Sequence, residues 1–486
     1  MSSETAGVGP ADLEGVRDRV SRIIGEARRQ GATASEVSVS MEQGLSVSVR
    51  QGEVETVEFN RDQGFGITLY VGQRKGSAST TSSGDAAVRE TVAAALAIAR
   101  HASEDSFAGL ADPELMAGAL PDLDLFHPWA ITPDEAISQA LACEAAAYAH
   151  DPRICNADGT SLSTHQGCRA YGNSHGFVGG YASTRHSLSC VMIAGGDGQM
   201  QRDYYYDVSR QGPALMAAEL IGQRAAERAV RRLGARPVPT CEVPVLFAPE
   251  LAAGLFGHFL AAISGGNLYR KASFLEGAMG QQLFPEWLAL DERPHIPQAL
   301  GSAAYDGDGL ATRAKPFVAQ GRLVSWLLST YSGRKLGLPS TANAGGAHNL
   351  HVSHGPLDQA GLIRQMGRGL LVTELMGQGL NLVTGDYSRG AGGYWVENGE
   401  ICFPVQEATI AGNLRDMFRQ IAGIGRYLEH RGNIRTGSLL MERMRGAGRR
   451  ACAVSPPRRS GVRSPLLTTS AAADDPLLDN LDAHRL

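Results

Sequence analysis

Apolar and polar residues alternate along this chain with two different periods, and the changes between them mark out the elements. Residues 11 to 30 carry Val16, Val20, Ile23, Ile24 and Ala27 at helical spacing, with charged residues between them and Gly31 as the stop. From Glu36 the period becomes two: Val37, Val39 and Met41, then Leu45, Val47 and Val49 after Gly44, then Val54, Val57 and Phe59, then Phe65, Ile67, Leu69 and Val71. This pattern predicts an antiparallel meander of short strands, separated by QG and RDQG turns. Gly84 to Ala102 predicts an alanine-rich helix, and Leu110 to Ile131, broken by Pro113, Pro121 and Pro128, a connecting loop. A second alanine-rich helix is expected over Thr132 to His150, with Thr132 as cap and Pro133 at its first position. Strands return over residues 153 to 209, with turns expected at GNSHG, Gly179-Gly180 and GGDG. Pro213 to Leu233 is again helical, and Gly234 to Pro239 reads as a domain boundary. Helix, meander, helix, then helix, strands, helix implies two related halves, although no residue-level repeat is visible.

After Thr240 the pattern shifts towards strands, glycine turns and few helices. The stretch from Pro249 to Ser264 is a predicted helix, with Pro249 at its first position, Glu250 at the positive end of the dipole and Gly265-Gly266 as the stop. Its apolar residues run almost all round, so neither face reads as solvated. Gly254, Gly257, His258, Ala261 and Ala262 fall on one side as a strip of small residues around a single imidazole. Candidate strands follow around Leu310, Phe317, Val324 to Leu328, Leu370 to Thr373, Tyr394 to Glu397 and Ile401 to Val405, with NGE at 398 to 400 as a hairpin signal. From Arg449 the sequence is basic and proline-bearing and lacks periodic apolar positions, the signature of a disordered tail. The expected fold class is α+β: an N-terminal α/β part with antiparallel meanders over residues 1–235, a C-terminal β-rich part over 240–448, and a tail over 449–486.

Composition narrows the function. With 486 residues, 43% hydrophobic and 20% charged, the chain is an ordinary globular protein of two or more domains. A formal net charge of -5 supplies no broad basic field for nucleic acid. Seven cysteines with no C-x-x-C pair favour a reducing compartment over a disulfide framework. The N-terminus lacks a basic segment followed by an apolar one, and no apolar run is long enough to span a bilayer, so a cytoplasmic protein is expected.

Candidate chemistry is sparse. His258 stands alone on its helix, whereas zinc wants three or four protein ligands. His348, His351 and His354 form H-x-x-H-x-x-H, but glycines flank the cluster and no regular element gathers the three rings. Asp306-Gly307-Asp308-Gly309 begins like a calcium loop and lacks the later acid, so it reads as a turn. No nucleophile elbow, Walker sequence or dinucleotide fingerprint occurs. The densest polar stretch in an apolar setting is residues 370 to 405, with Glu374, Asn381, Asp386, Arg389 and Glu397 among strand-like residues and glycines. Two readings stay open there: a groove for an extended peptide, or polar groups paired at strand ends.

Three long segments, FAPELAAGLFGHFLAAISGGNLYRKASFL, STYSGRKLGLPSTANAGGAHN and ELMGQGLNLVTGDYSRGAGGYWVENGEICFPV, resemble the PmbA (TldE) branch of the TldD/PmbA metalloprotease family, and the resemblance runs from about residue 11 to 448. It implies a cytoplasmic bacterial protease of two homologous subunits, TldD and PmbA, that cleaves unfolded peptides, including microcin precursors and antitoxins. The catalytic branch carries HExxxH on the helix; its two histidines and a C-terminal cysteine bind the metal, and its glutamate is the general base. With Tyr269-Arg270 as register, the vestigial motif positions here are Gly257, His258 and Ala262, and Thr436 lies about where the cysteine is sought. The resemblance therefore implies a subunit with no catalytic residues, metal or cofactor of its own, with zinc held in a TldD-type partner. His348, Glu374, Asp386 and Arg389 are its candidate peptide-groove residues. Expected partners are the TldD-type subunit and an unfolded peptide, with a homodimer possible when the chain is alone, and neither nucleic acid nor membrane. Two rival readings are an active metallopeptidase in which His258 and His348 recruit a metal, and a regulatory binding protein without a proteolytic role.

Overall fold

In a computed structural model the described residues are 8–196 and 198–447; the tail expected over 449–486 lies outside them. The N-terminal part comprises α1 (Pro10–Arg29), β1 (Ala34–Arg50), β2 (Glu53–Val71), β3 (Arg74–Thr80), α2 (Asp85–His101), α3 (Pro133–His150), β4 (Ile154–Asn173), β5 (Val178–Gly196), β6 (Gln199–Ser209) and α4 (Ala218–Arg231). Two helix-strand-strand-strand-helix units thus follow one another. They join through an antiparallel β1–β4 pair into one six-stranded sheet of order β3-β2-β1-β4-β5-β6. The two related halves anticipated from the patterns share a sheet. Helices α1 and α2 pack over one end of the shared sheet, in a core where Val16, Val20, Val92 and Leu96 meet Val37, Phe65, Cys168 and Ala170, and α3 and α4 over the other, where Ala136, Cys143, Ile221 and Ala225 meet Val47, Leu162 and Leu188. At the start of α3, Thr132 accepts the Glu135 N–H at 3.2 Å and Glu135 returns to the Thr132 N–H at 2.8 Å, a reciprocal cap.

The strands are longer than the turn signals imply. Gly44 and the RDQG segment are not turns: Gly44 pairs with Asn60 and Arg61 with Gln43 inside a continuous β1–β2 ladder. Glycine is needed at 44 because a Cβ there would run into the imidazole of His165. Gly179 and Gly180 likewise lie within β5, paired with Tyr171 and Ala170. The QG turn is real, with Gln51 and Gly52 both at positive φ.

The C-terminal part comprises β7 (Cys241–Phe247), α5 (Pro249–Ala262), α6 (Gly265–Tyr269), β8 (Leu290–Glu292), β9 (Lys315–Ala319), β10 (Arg322–Leu323), α7 (Thr330–Leu336), β11 (Leu350–Val352), α8 (Gln359–Met366), β12 (Gly369–Met376), β13 (Asp386–Glu397), β14 (Glu400–Asn413), α9 (Leu414–Arg419), β15 (Ile421–Ile424), β16 (Ile434–Arg435) and β17 (Leu439–Ala447). Strands β14-β13-β12-β7-β17 run side by side, and β14 also pairs with β17, so they close into a ring without a free edge. The NGE hairpin turns β13 into β14, with Asn398 and Gly399 at positive φ. A second sheet has the order β10-β9-β8-β11-β16. Residues 324 to 328, expected as a strand, are irregular apart from a single Ser264–Leu327 bridge, which ties Leu327 to the chain just after α5 in place of a ladder.

Candidate functional site

Helix α5 lies between the strand ring, where it packs on β12, and the second sheet, where it packs on β16. Pro249 and Glu250 open it as expected, but the glycine pair does not close it. Ser264 takes an extended conformation, and Gly265-Gly266 start α6. The last carbonyls of α5 are satisfied by side chains: Asn267 Nδ2 and Ser264 Oγ donate to Ala261 O at 2.8 and 2.9 Å, and Ser273 Oγ donates to Ala262 O at 2.5 Å.

The helix is two-faced, contrary to the all-round apolar reading. Leu251, Ala252, Leu255, Phe256, Phe259 and Ala262 enter the core, where Phe259 meets Phe284 edge-on at 5.2 Å. Gly254, Gly257, His258 and Ala261 remain on the partly open side. Ala262 leaves the strip: it is fully buried, because five positions along a regular helix turn it about 140° from Gly257. Two of the three motif positions therefore face the opening, and the third faces the core.

On the open side, His258 lies 6.2 Å from the ring of Tyr387, tilted at 58°, and makes no hydrogen bond among the described residues. Burial and then the nearby Arg389 guanidinium disfavour its protonation, lowering its pKa to about 4. Tyr387 is 1% exposed. Burial pushes its phenol up to about 12, with Arg389 pulling the other way. The Tyr387 hydroxyl and Arg389 Nε are both buried without a hydrogen-bond partner. Tyr387 escaped the sequence reading, although strand alternation in DYSRG places it on the same face as Arg389.

The four candidate groove residues do not converge. Arg389 alone stands beside His258. Glu374 pairs with Arg232, which caps the end of α4, across the boundary between the two parts. Asp386 accepts from Thr384 Oγ1 at 2.7 Å and Asn413 Nδ2 at 3.1 Å, closing a local turn. His348 belongs to a buried group around Glu292: its N–H and Nδ1 reach Glu292 Oε1 at 2.7 and 3.1 Å, Asn343 Nδ2 donates at 2.7 Å, and Lys315 is the counter-charge. Burial alone would raise the Glu292 carboxyl, but the His348 hydrogen bond and Lys315 outweigh it and hold the group low. For Glu374, Asp386 and His348 the paired-polar-group reading describes the observed contacts. His351 lies in β11 and bonds to its neighbour Val352 O at 3.2 Å, and the exposed His354 to Gly355 O at 3.0 Å, so the three histidines point to separate partners. The Asp306–Gly309 segment is a turn, as expected: Asp306 accepts the backbone N–H groups of Asp308, Leu310 and Ala344.

The three motif positions and Thr436 do not supply the ligand set of a catalytic zinc. Gly257 and Ala262 offer no donor atom, and Thr436 is fully buried with its hydroxyl turned to Gly437 O at 3.2 Å. Among the described residues, no three His, Cys, Asp or Glu side chains gather where an ion could sit. No helix among them is long and apolar enough to cross a membrane.

A doubled α/β unit on a shared sheet, joined to a strand-ring domain with a helix packed between the ring and a second sheet, defines an α+β protein of the TldE-like fold. A TldE structure from Thermococcus kodakarensis superposes with a TM-score of 0.78 at 21% identity, over 88% of this chain and all of that one. A candidate modulator of DNA gyrase from Bacteroides thetaiotaomicron superposes at 0.86 with 27% identity, over 90% and 100%. Residues 35–99, 126–233 and 240–448 match, in order, PmbA/TldA metallopeptidase domain 1, central domain and C-terminal domain. Metalloprotease PmbA of Escherichia coli O157:H7 is 50% identical over 414 residues, 85% of this chain and 92% of that one. A PmbA homolog from Haemophilus influenzae is 47% identical over 441 residues, 90% and 97%. The chain belongs to the PmbA/TldD metallopeptidase family.

Proposed function

We propose that this chain is a PmbA/TldE-type subunit of a cytoplasmic metalloprotease that degrades or matures unfolded peptides. It works without a metal of its own, paired with a homologous TldD-type subunit that holds the zinc. The observation that carries the reading is the donor set on α5: one imidazole, a glycine and a buried alanine where three functional side chains would be needed. Without ligands there is no Lewis acid to acidify a water, and His258 cannot act as both metal site and base. Relatives bear the name metalloprotease, and in this reading the name describes the assembly. Pairing is supported by β2, whose residues 53 to 62 are exposed. This half-strand is bonded to β1 on one side only and displays Val54, Val57 and Phe59 at 43%, 47% and 65% exposure. An unpaired edge with apolar side chains is a surface that seeks a partner.

The test is metal analysis and peptide cleavage on the full chain, with and without a TldD-type partner. The expected result is no stoichiometric zinc and no cleavage by the chain alone, with cleavage appearing when the partner is added. Zinc retained through dialysis, or hydrolysis by this chain alone, would overturn the proposal.

A further inference from the structure

The open side of α5 has the polarity opposite to a metal site. Its fixed charge is the Arg389 guanidinium, and no carboxylate among the described residues pairs with it. Three other arginines removed from solvent are matched by acids, Arg228 by Asp203 and Glu250, Arg232 by Asp203 and Glu374, and Arg431 by Glu429, while the buried Arg210 gives its N–H groups to the backbone carbonyls of Thr184, Ala299 and Leu300; Arg389 has neither kind of partner at Nε. A guanidinium held partly out of water without a counter-ion is costly unless something supplies one. Alternation along β13 puts Tyr387 and Arg389 on one face and Asp386 on the other, where Thr384 and Asn413 already occupy it.

The donors and the space coincide. The Tyr387 hydroxyl and Arg389 Nε are buried and unpartnered, and the neutral His258 ring beside them makes no hydrogen bond and carries one N–H to give. A Cβ placed on Gly254 would meet no atom within 4 Å, and one on Gly257 would meet only Ile434 Cδ1 at 3.9 Å, so the floor of this face is clear. Three donors around one positive charge match the acceptor atoms of a carboxylate.

We propose that His258, Tyr387 and Arg389 form a receptor for a carboxylate presented by the bound peptide, either its C-terminus or an acidic side chain. The inference rests on the reading that this chain handles peptides. It gives the open face of α5 a binding role in place of a hydrolytic one, anchoring substrate by charge while the chemistry takes place elsewhere in the assembly.

The experiment measures binding of unfolded peptides to the full chain by fluorescence anisotropy. One peptide pair differs only in a free or amidated C-terminus, and a second pair only in Asp and Glu replaced by Asn and Gln. Loss of the recognised carboxylate is expected to weaken binding about tenfold or more, the worth of a charge-assisted pair. Arg389→Gln should abolish that discrimination, and Arg389→Lys should keep part of it. Sensitivity to amidation assigns the C-terminus, and sensitivity to Asn and Gln the side chain. Equal binding of all four peptides, or no binding of any, overturns the inference and leaves the subunit reading to be judged by zinc content and partner-dependent cleavage. As a check that needs no variant, acetate titrated into the wild-type chain should shift the His258 ring signals in NMR. Unmoved signals count against the receptor.

Discussion

At the scale of single residues, His258 shows how far environment moves a side chain from its ordinary chemistry. Burial and Arg389 together keep it neutral down to about pH 4 in the folded chain, whereas the unfolded chain protonates it near 6.5. Because the folded value is the lower one, the unfolded state takes up the proton first as pH falls. The contribution is complete above about pH 6.5 and is lost progressively towards pH 4, by at most about 1.4 kcal/mol per pH unit. His258→Asn should therefore lose less stability than the wild type between pH 7 and pH 5 in urea unfolding. Identical losses would show that His258 is not held neutral by the fold. The imidazole was legible in sequence as an anomaly on an apolar helix. Its partners were not, because Tyr387 and Arg389 lie about 130 residues away and reach it only through the placement of β13.

At the scale of elements, the periodic signal was richer than the turn signal. In β1 the apolar positions 37, 39, 41, 45, 47 and 49 are all odd, and in β2 so are 57, 59, 65, 67, 69 and 71, with Val54 beside the bulge near the turn and Tyr70 as the exceptions. A true turn has no reason to preserve that parity, so its persistence through Gly44 and RDQG is the mark of continuous strands. Helix α5 shows the converse. Its existence and start follow from Pro249 and Glu250, but which side stays open depends on the ring on one flank and the second sheet on the other. That orientation also decides whether restoring the motif residues could restore a metal site. The combined variant Gly257→His, His258→Glu and Ala262→His finds room at 257 but forces an imidazole into the packed core at 262. It should lose about 1–3 kcal/mol of stability by overpacking and bind no stoichiometric zinc. Thermal unfolding and zinc titration check both. Tight zinc binding by a stable variant would mean that only the ligands distinguish this helix from a catalytic one.

At the scale of the whole molecule, the two parts are joined by charge. Asp203 on β6 and Arg228 and Arg232 on or beside α4 meet Glu250 at the start of α5 and Glu374 on β12. Burial alone would lower Arg228, but Asp203 and Glu250 outweigh it and raise it. Around this network, Gln201 donates to Gln406 Oε1 at 2.7 Å, and Arg431 donates to Tyr206 O at 3.0 Å. Arg228→Ala leaves Glu250 without its counter-charge and Asp203 with Arg232 alone, and should destabilise the chain by about 3–5 kcal/mol, with the boundary between the parts opening first. Denaturant unfolding and hydrogen exchange at β6 and the first turn of α5 measure this. A loss below about 1 kcal/mol, the scale of an exposed pair, would refute the role given to the network.

The chain by itself determined what depends on near neighbours: the helix and strand periods, the Thr132 cap, the QG and NGE turns and the two related halves. These follow from side-chain spacing and backbone preference, which act over a few residues. Its motifs also carried the family. Only the tertiary structure decided that the two halves share one sheet, that a ring of strands closes through β14 and β17, and that Glu374, Asp386 and His348 serve separate partners. It alone brought an unpaired arginine and a buried tyrosine to the open side of α5. Several of these meetings join residues more than a hundred positions apart, as Arg232 and Glu374 are, and no local pattern records which face of one element a distant one will cover.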